Sequence, residues 1–232
     1  KAGDYAMLAG YPGTTYRHRT AAEFDEQVNW TLPARVAAFD QLIDVIEAAG
    51  RQDADAKTRY AAQLQSLKNN RKRAAGELEG LRRSDAVRVR AEDERGMLAT
   101  DVAAKERADI DALAASIAGG SAMRERELLL SLFGSQSQLM RAAITLERLR
   151  LESAKPDAAR ESGYQVRDHA LIEGVLKQVQ RRYAPEVEKA LLTALLTRYQ
   201  QLPDAQRLPG FDAAFGRTPA ALKQALDALY AN

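Results

Sequence analysis

The chain has 232 residues, with 34 basic and 32 acidic side chains balancing to a net charge of +2, and no cysteine. The missing cysteine excludes a disulfide framework, a thiol nucleophile and a thiolate metal site. The near-neutral balance is unlike a strongly basic nucleic-acid binder, and no apolar run is long enough to span a membrane. Ala, Leu, Arg, Glu and Gln dominate while aromatics are few. These residue types lose little entropy in a helix, so the composition predicts an all-α protein.

The chain opens at Lys1 without a Met. Residues 4–9 (DYAMLA) form a short apolar run ended by Gly10-Tyr11-Pro12-Gly13. Pro-Gly is a strong turn signal, so a short strand and a turn are expected. A lone strand is unstable in water, so its partners are expected in a neighbouring domain and the chain reads as a fragment.

Thr20-Ala21-Ala22-Glu23 has the spacing of a capping box, and a helix is expected from there to about Trp30. Pro33 should interrupt or restart it. Val36, Phe39, Leu42, Ile43 and Ile46 then fall on one helical face, with Gly50 as the expected C-terminal cap. Helical patterning resumes over 53–80 and 85–117, with a break near 96–100. Gly119-Gly120-Ser121 reads as a turn between helices, with Ser121 as an N-cap. Residues 122–152 read as one long amphipathic helix carrying Leu128, Leu129, Leu132, Leu139, Ile144, Leu146 and Leu149. Lys155-Pro156 ends it, and residues 160–165 read as an ordered loop or a broken helix start. Helices are expected over 168–183 and 185–201, then a connector holding Pro203 and Pro209. A last helix is capped by Thr218 with Pro219 at its first position. Long helices joined by short turns imply an antiparallel multi-helix bundle.

Few residues suggest chemistry. His18 and His169 lack a paired metal-ligand spacing, so no metal or cofactor site is expected. Gly119-Gly120-Ser121 has no strand before it and no G-x-S-x-G elbow, so a turn is the better reading than a nucleophile. Carboxylates interleave with Arg and Lys, as in Glu125-Arg126-Glu127, which marks solvated helix faces. Lys68, Arg71, Lys72 and Arg73, with Arg82, Arg83, Arg88 and Arg90, form a basic stretch, but without interleaved aromatics. Asn69 and Asn70 are unusual inside a helix, because Asn competes for backbone hydrogen bonds. One explanation is a buried amide with a dedicated partner.

Three blocks carry a resemblance. Gly10-Tyr11-Pro12-Gly13, Tyr16-Arg17 and Arg19-Thr20 are followed by Asn29-Trp30. Asn69, Lys72, Gly76 and Leu78-Glu79-Gly80 fit the helix signature N-x-x-K-N-x-x-G-x-x-x-G. Lys155-Pro156-Asp157 precedes Arg160-Glu161-Ser162-Gly163-Tyr164-Gln165 and Arg167-Asp168. In this order they resemble the bacterial serine dipeptidyl-peptidases of the chymotrypsin clan, the group containing dipeptidyl peptidases seven and eleven. The resemblance implies a helical cap domain over residues 20–232, inserted between two β-barrel halves, with residues 1–19 ending a barrel strand. It implies that the catalytic His, Asp and Ser lie outside this chain, so the fragment alone is inactive. It implies a cap that gates the cleft, with Asn69 binding the substrate's α-ammonium group and Asn70 as the fallback. At 73 this chain has Arg where the family usually has a second Asn, and a guanidinium turned inward would oppose an ammonium. The implied partners are a peptide substrate and the rest of a homodimeric parent, periplasmic or secreted, with no nucleic acid or membrane. The alternatives are a helical interaction or scaffold module and a nucleic-acid-binding helical domain.

Overall fold

The computed structural model describes residues 18–100 and 106–231, so the expected strand and Pro-Gly turn lie outside the described residues. Every regular element among the described residues is helical. Helix α1 (Ala21–Glu26) begins at the expected capping box. The Thr20 hydroxyl accepts from the Glu23 amide at 3.3 Å, and the Glu23 carboxylate accepts from the Thr20 amide at 2.8 Å.

Pro33 does not interrupt the chain. A π-helical segment (Gln27–Thr31) leads directly into α2 (Leu32–Gln52), which has proline in its first turn. The wider π turn accommodates a residue that has no amide hydrogen to donate. Gly50 is not a cap either, since α2 runs past it. Asp53, in extended conformation, both stops α2 and caps α3 (Ala54–Arg83), its carboxylate accepting from Asp55 N at 2.8 Å and Ala56 N at 3.2 Å. A Cβ at Gly50 would lie 3.3 Å from Lys57 Cβ, so the glycine serves the close approach of the two helices.

Helices α2 and α3 pack as an antiparallel hairpin. Ala38, Leu42 and Ile46 are buried on one side, and Ala56, Tyr60 and Leu67 on the other. Ion pairs Asp40–Arg71 (2.9 Å) and Glu47–Lys68 (2.5 Å) fix the register along its flank. Asp85, with φ 49°, turns the chain into α4 (Ala86–Leu98), which returns to α1. There Glu94 accepts from Ala21 N at 2.7 Å.

Gly119-Gly120-Ser121 is not a turn between helices. Helix α5 (Arg107–Gly120) passes through a short 3-10 segment (Ser121–Met123) into α6 (Arg124–Gln136). The Ser121 hydroxyl donates to Ala118 O at 2.7 Å instead of capping. The break comes later, at Ser137, which divides the expected long helix into α6 and α7 (Gln138–Ser153). Beyond it Ile144 and Leu146 are exposed, so the apolar face predicted there is not core.

After α7 the chain forms an ordered loop, the first of the two expected alternatives, and no helix starts at 160–165. Glu152, buried, accepts from Lys155 Nζ at 2.6 Å and Glu161 N at 2.9 Å, and Asp168 accepts from Gly163 N and Gln165 N. Helices α8 (His169–Arg182) and α9 (Pro185–Gln200) follow as predicted. The connector holds an unanticipated short helix α10 (Pro209–Phe215), and α11 (Pro219–Leu229) is capped by Thr218 as expected. Helix α9 lies at the centre, with Val187, Leu191, Leu192, Leu195, Leu196 and Tyr199 all buried. Leu129, Leu132 and Phe133 of α6 and Leu222 and Leu226 of α11 close on it. Phe211 wedges α10 in, its ring centroid 5.3 Å from Phe133 and 5.2 Å from Tyr199.

Candidate functional site

An open cleft of about 610 Å³ lies where the α1–α2 junction, α2, α3 and α6 meet. Helical spacing puts its lining residues on common faces. Arg35 and Phe39 (i, i+4) come from α2, and Asn70 and Arg73 (i, i+3) from α3. Glu127, Leu128, Ser131, Leu132 and Ser135 come from α6, and Glu26, Trp30 and Thr31 from the junction. Hollows of about 640 and 620 Å³ lie elsewhere along α2, and neither contains a residue of the three sequence blocks.

The cleft mixes both charges. Glu26 pairs with Arg124 at 3.2 Å, and that guanidinium lies 4.8 Å from the Trp30 ring centre. Glu127 pairs with Arg126 at 2.7 Å. Arg35 and Arg73 have no hydrogen-bonding or ionic partner among the described residues. The cleft thus offers two unspent cations beside two carboxylates, over an apolar floor of Phe39, Leu128 and Leu132.

The two asparagines diverge. Asn69 is exposed, and its amide oxygen accepts from Gln65 at 3.3 Å. Asn70 is half-buried and lines the cleft, donating to Ser66 O of the preceding turn at 2.9 Å. The idea of a buried amide with a dedicated partner therefore fails, because both bond only within their own helix. Arg73 is turned to the cleft, three residues from Asn70 and four from Asn69. Asn29, beside Trp30, donates to Asp25 at 2.7 Å and points to solvent.

At least four of the eight cations of the basic stretch hold carboxylates within the chain. Lys68 and Arg71 pair with α2, Arg83 with Glu79, and Arg88 with Asp85 and Glu92. His18 and His169 are exposed on separate elements. Among the described residues no three His, Asp or Glu side chains group as metal ligands, and no helix is long and apolar enough to cross a membrane.

One polar site was missed in the sequence. Glu188 of α9 is fully buried without a cation. It accepts from Tyr60 Oη at 3.0 Å, Gln138 N at 3.1 Å, Leu139 N at 3.0 Å and the Ser137 hydroxyl. Burial, then the adjacent carboxylate, pushes the Tyr60 phenol up, which keeps it a donor. Glu188 holds the α6–α7 break in place. Its sequence neighbours, Pro185-Glu186-Val187-Glu188-Lys189, read as a solvated helix start, so only the partners reveal it.

The chain is 31% identical over 236 residues to an Asp/Glu-specific dipeptidyl-peptidase of Shewanella putrefaciens, covering 99% of this chain and 32% of that protein. It is 30% identical over 218 residues to an Asp/Glu-specific dipeptidyl-peptidase of Porphyromonas endodontalis, covering 90% and 29%. A shorter match, 35% over 78 residues, reaches dipeptidyl-peptidase 7 of Capnocytophaga gingivalis, covering 34% of this chain and 11% of that protein. The chain spans about a third of the length of the first two relatives. The sequence profile of the Peptidase S46 family matches residues 1–232, so from its first residue to its last this helical chain is a member of the S46 peptidases.

Proposed function

We propose that the protein containing this chain releases dipeptides from peptides with a free N-terminus, by serine chemistry held in the remaining two thirds. This helical segment then caps the cleft and reads the N-terminus. The reading is supported by the placement of Asn70 and Trp30 in one open cleft, with Asn69 next along α3, on a chain that matches the family throughout. An amide oxygen accepts from an ammonium, and closure of a cap strengthens that bond by excluding water. The Asn70 oxygen has no partner among the described residues, while the Asn69 oxygen would exchange Gln65 for the ligand. The mixed charge suits a zwitterionic ligand such as a short peptide. On the family resemblance, the same reading places the protein in the periplasm or outside the cell, as a homodimer.

The test is Asn69→Ala and Asn70→Ala in the full-length protein, assayed on dipeptidyl substrates. The residue that binds the ammonium should lose about 10- to 100-fold in kcat/KM, the equivalent of a charge-assisted hydrogen bond of about 1.5 to 3 kcal/mol. Unchanged kinetics in both would remove the α3 asparagines from the mechanism.

A second reading, an interaction module, is favoured by one observation. Ile144, Leu146 and Leu151 of α7, and Leu171 and Val175 of α8, are exposed. It predicts a stable protein partner and no peptidase activity in the full-length protein.

A further inference from the structure

Helices α7 and α8, with the loop between them, form an arm packed apart from the rest. Among the described residues, none of 141–183 belongs to the core shared by α2, α3, α6, α9 and α11. Ile172 and Val179 are buried, but outside that core. The arm is braced from within. Arg148 pairs with Glu161, and its guanidinium lies 5.3 Å from the Tyr164 ring centre. Asp157 accepts from Val166 N at 2.7 Å, while Glu152 and Asp168 hold the rest of the loop.

Each end of the arm is a break in an otherwise helical run. Ser137 is extended, with φ −90° and ψ 123°. So are Tyr183 (φ −70°, ψ 126°) and Ala184 (φ −131°, ψ 112°). Positions of this kind absorb the dihedral change when one packed unit turns against another. One face of α3 grips both breaks. Arg59 Nη1 donates to Tyr183 O at 3.0 Å, and Gln63, one turn on, donates to Gln136 O at 2.7 Å. Gln63 also accepts from Gln138 Nε2 at 2.9 Å. Just past the first break the grip is incomplete. Gln138 Oε1 and Arg141 Nε, one turn apart on α7, are buried without a hydrogen-bond partner. Buried polar atoms are nearly always paired in a settled packing, so these two mark an arrangement that competes with another.

We propose that the arm turns as one body on the breaks at Ser137 and Tyr183–Ala184. One orientation is held by Arg59 and Gln63, and in the other Gln138 and Arg141 find partners. The motion lies inside the helical segment and is separate from closure of the segment as a whole. Ser135 and Gln136 line the cleft and directly precede the first break, so a turn there reaches the cleft wall. The inference does not depend on what the cleft binds.

The experiment reads pulsed-EPR distances in the full-length protein, between spin-labelled non-canonical amino acids at exposed positions. The cross pair is Gln41 of α2 and Ser162 of the loop. Ala143 with Ser162 follows the arm alone, and Gln41 with Ala220 the body alone. The inference expects one distance for the arm pair, one for the body pair and two for the cross pair. R59L and Q63L each remove a bond of the orientation seen here. Each should raise the ratio of the second distance to the first by about 3- to 10-fold, the worth of one hydrogen bond. R141M removes the unpaired guanidinium and should lower that ratio. A single cross-pair distance in wild type, R59L and Q63L overturns the inference, as does a ratio that none of the variants shifts. So does an arm pair that splits with the cross pair, because the arm would then not be one body. The body pair, unchanged throughout, shows that the variants keep their fold.

Discussion

Glu188 shows what a single residue contributes. Burying a carboxylate without a cation is costly, and four donors offset that cost here. Glu188→Ala leaves a buried phenol and the first amides of α7 unpartnered. It should destabilise the helical body by at least about 3 kcal/mol. Glu188→Gln keeps one acceptor but turns a donor on the remaining groups, and should cost less. Hydrogen exchange at the Gln138 and Leu139 amides checks the site directly, with faster exchange expected in both variants. Unchanged protection would show that Ser137 alone caps α7. Nothing in the sequence distinguishes this glutamate from its neighbours. The Thr20 capping box and the Thr218-Pro219 helix start, in contrast, were legible because their signal lies within four residues.

Elements began where the sequence indicated more often than they ended there. Thr20, Asp53 and Thr218 are starts with a side-chain mechanism. The glycines misled, because glycine marks both chain ends and close approaches. Gly50 and Gly216 make the contrast measurable. At Gly216, φ is +70° and a Cβ would lie 2.4 Å from Ala221 Cβ, whereas at Gly50 the nearest contact is 3.3 Å. Gly216→Ala should therefore cost about 2 kcal/mol or more, and Gly50→Ala under about 1 kcal/mol, read as shifts in the denaturation midpoint. Equal effects would mean that α11 does not depend on this tight turn. Helix α11 also supplies a pH test. Lys189 of α9 and Lys223 hold the Asp227 carboxyl down at about 2, against an ordinary value near 4. A depressed carboxylate stabilises fully above its unfolded value, and that contribution is lost as pH falls from about 4 to 2. Asp227→Asn should flatten the fall in melting temperature across that window, and an unchanged slope would place the acid sensitivity elsewhere.

At the scale of the whole molecule, composition made the all-α class legible, and helical periodicity broken by short turns made the bundle legible. The cleft was not legible, because it depends on which faces of α2, α3 and α6 meet. Arg35 and Arg73 lie 38 positions apart, and only the antiparallel register fixed by Asp40–Arg71 and Glu47–Lys68 brings them to one concavity. Asn69 and Asn70 were visible as oddities, yet which of them faces the cleft followed from the helix phase. The family blocks were visible because they are local and ordered, and they extend to a segment about a third of the length of its relatives.

The central claim is that this segment serves a peptidase that recognises a free N-terminus. The most direct measurement is cleavage by the full-length protein of dipeptidyl fluorogenic substrates with free and with acetylated N-termini, with this 232-residue segment alone as control. The account predicts cleavage of the free substrates only, and a silent segment. Equal cleavage of the acetylated substrates, or none by the full-length protein, would contradict it.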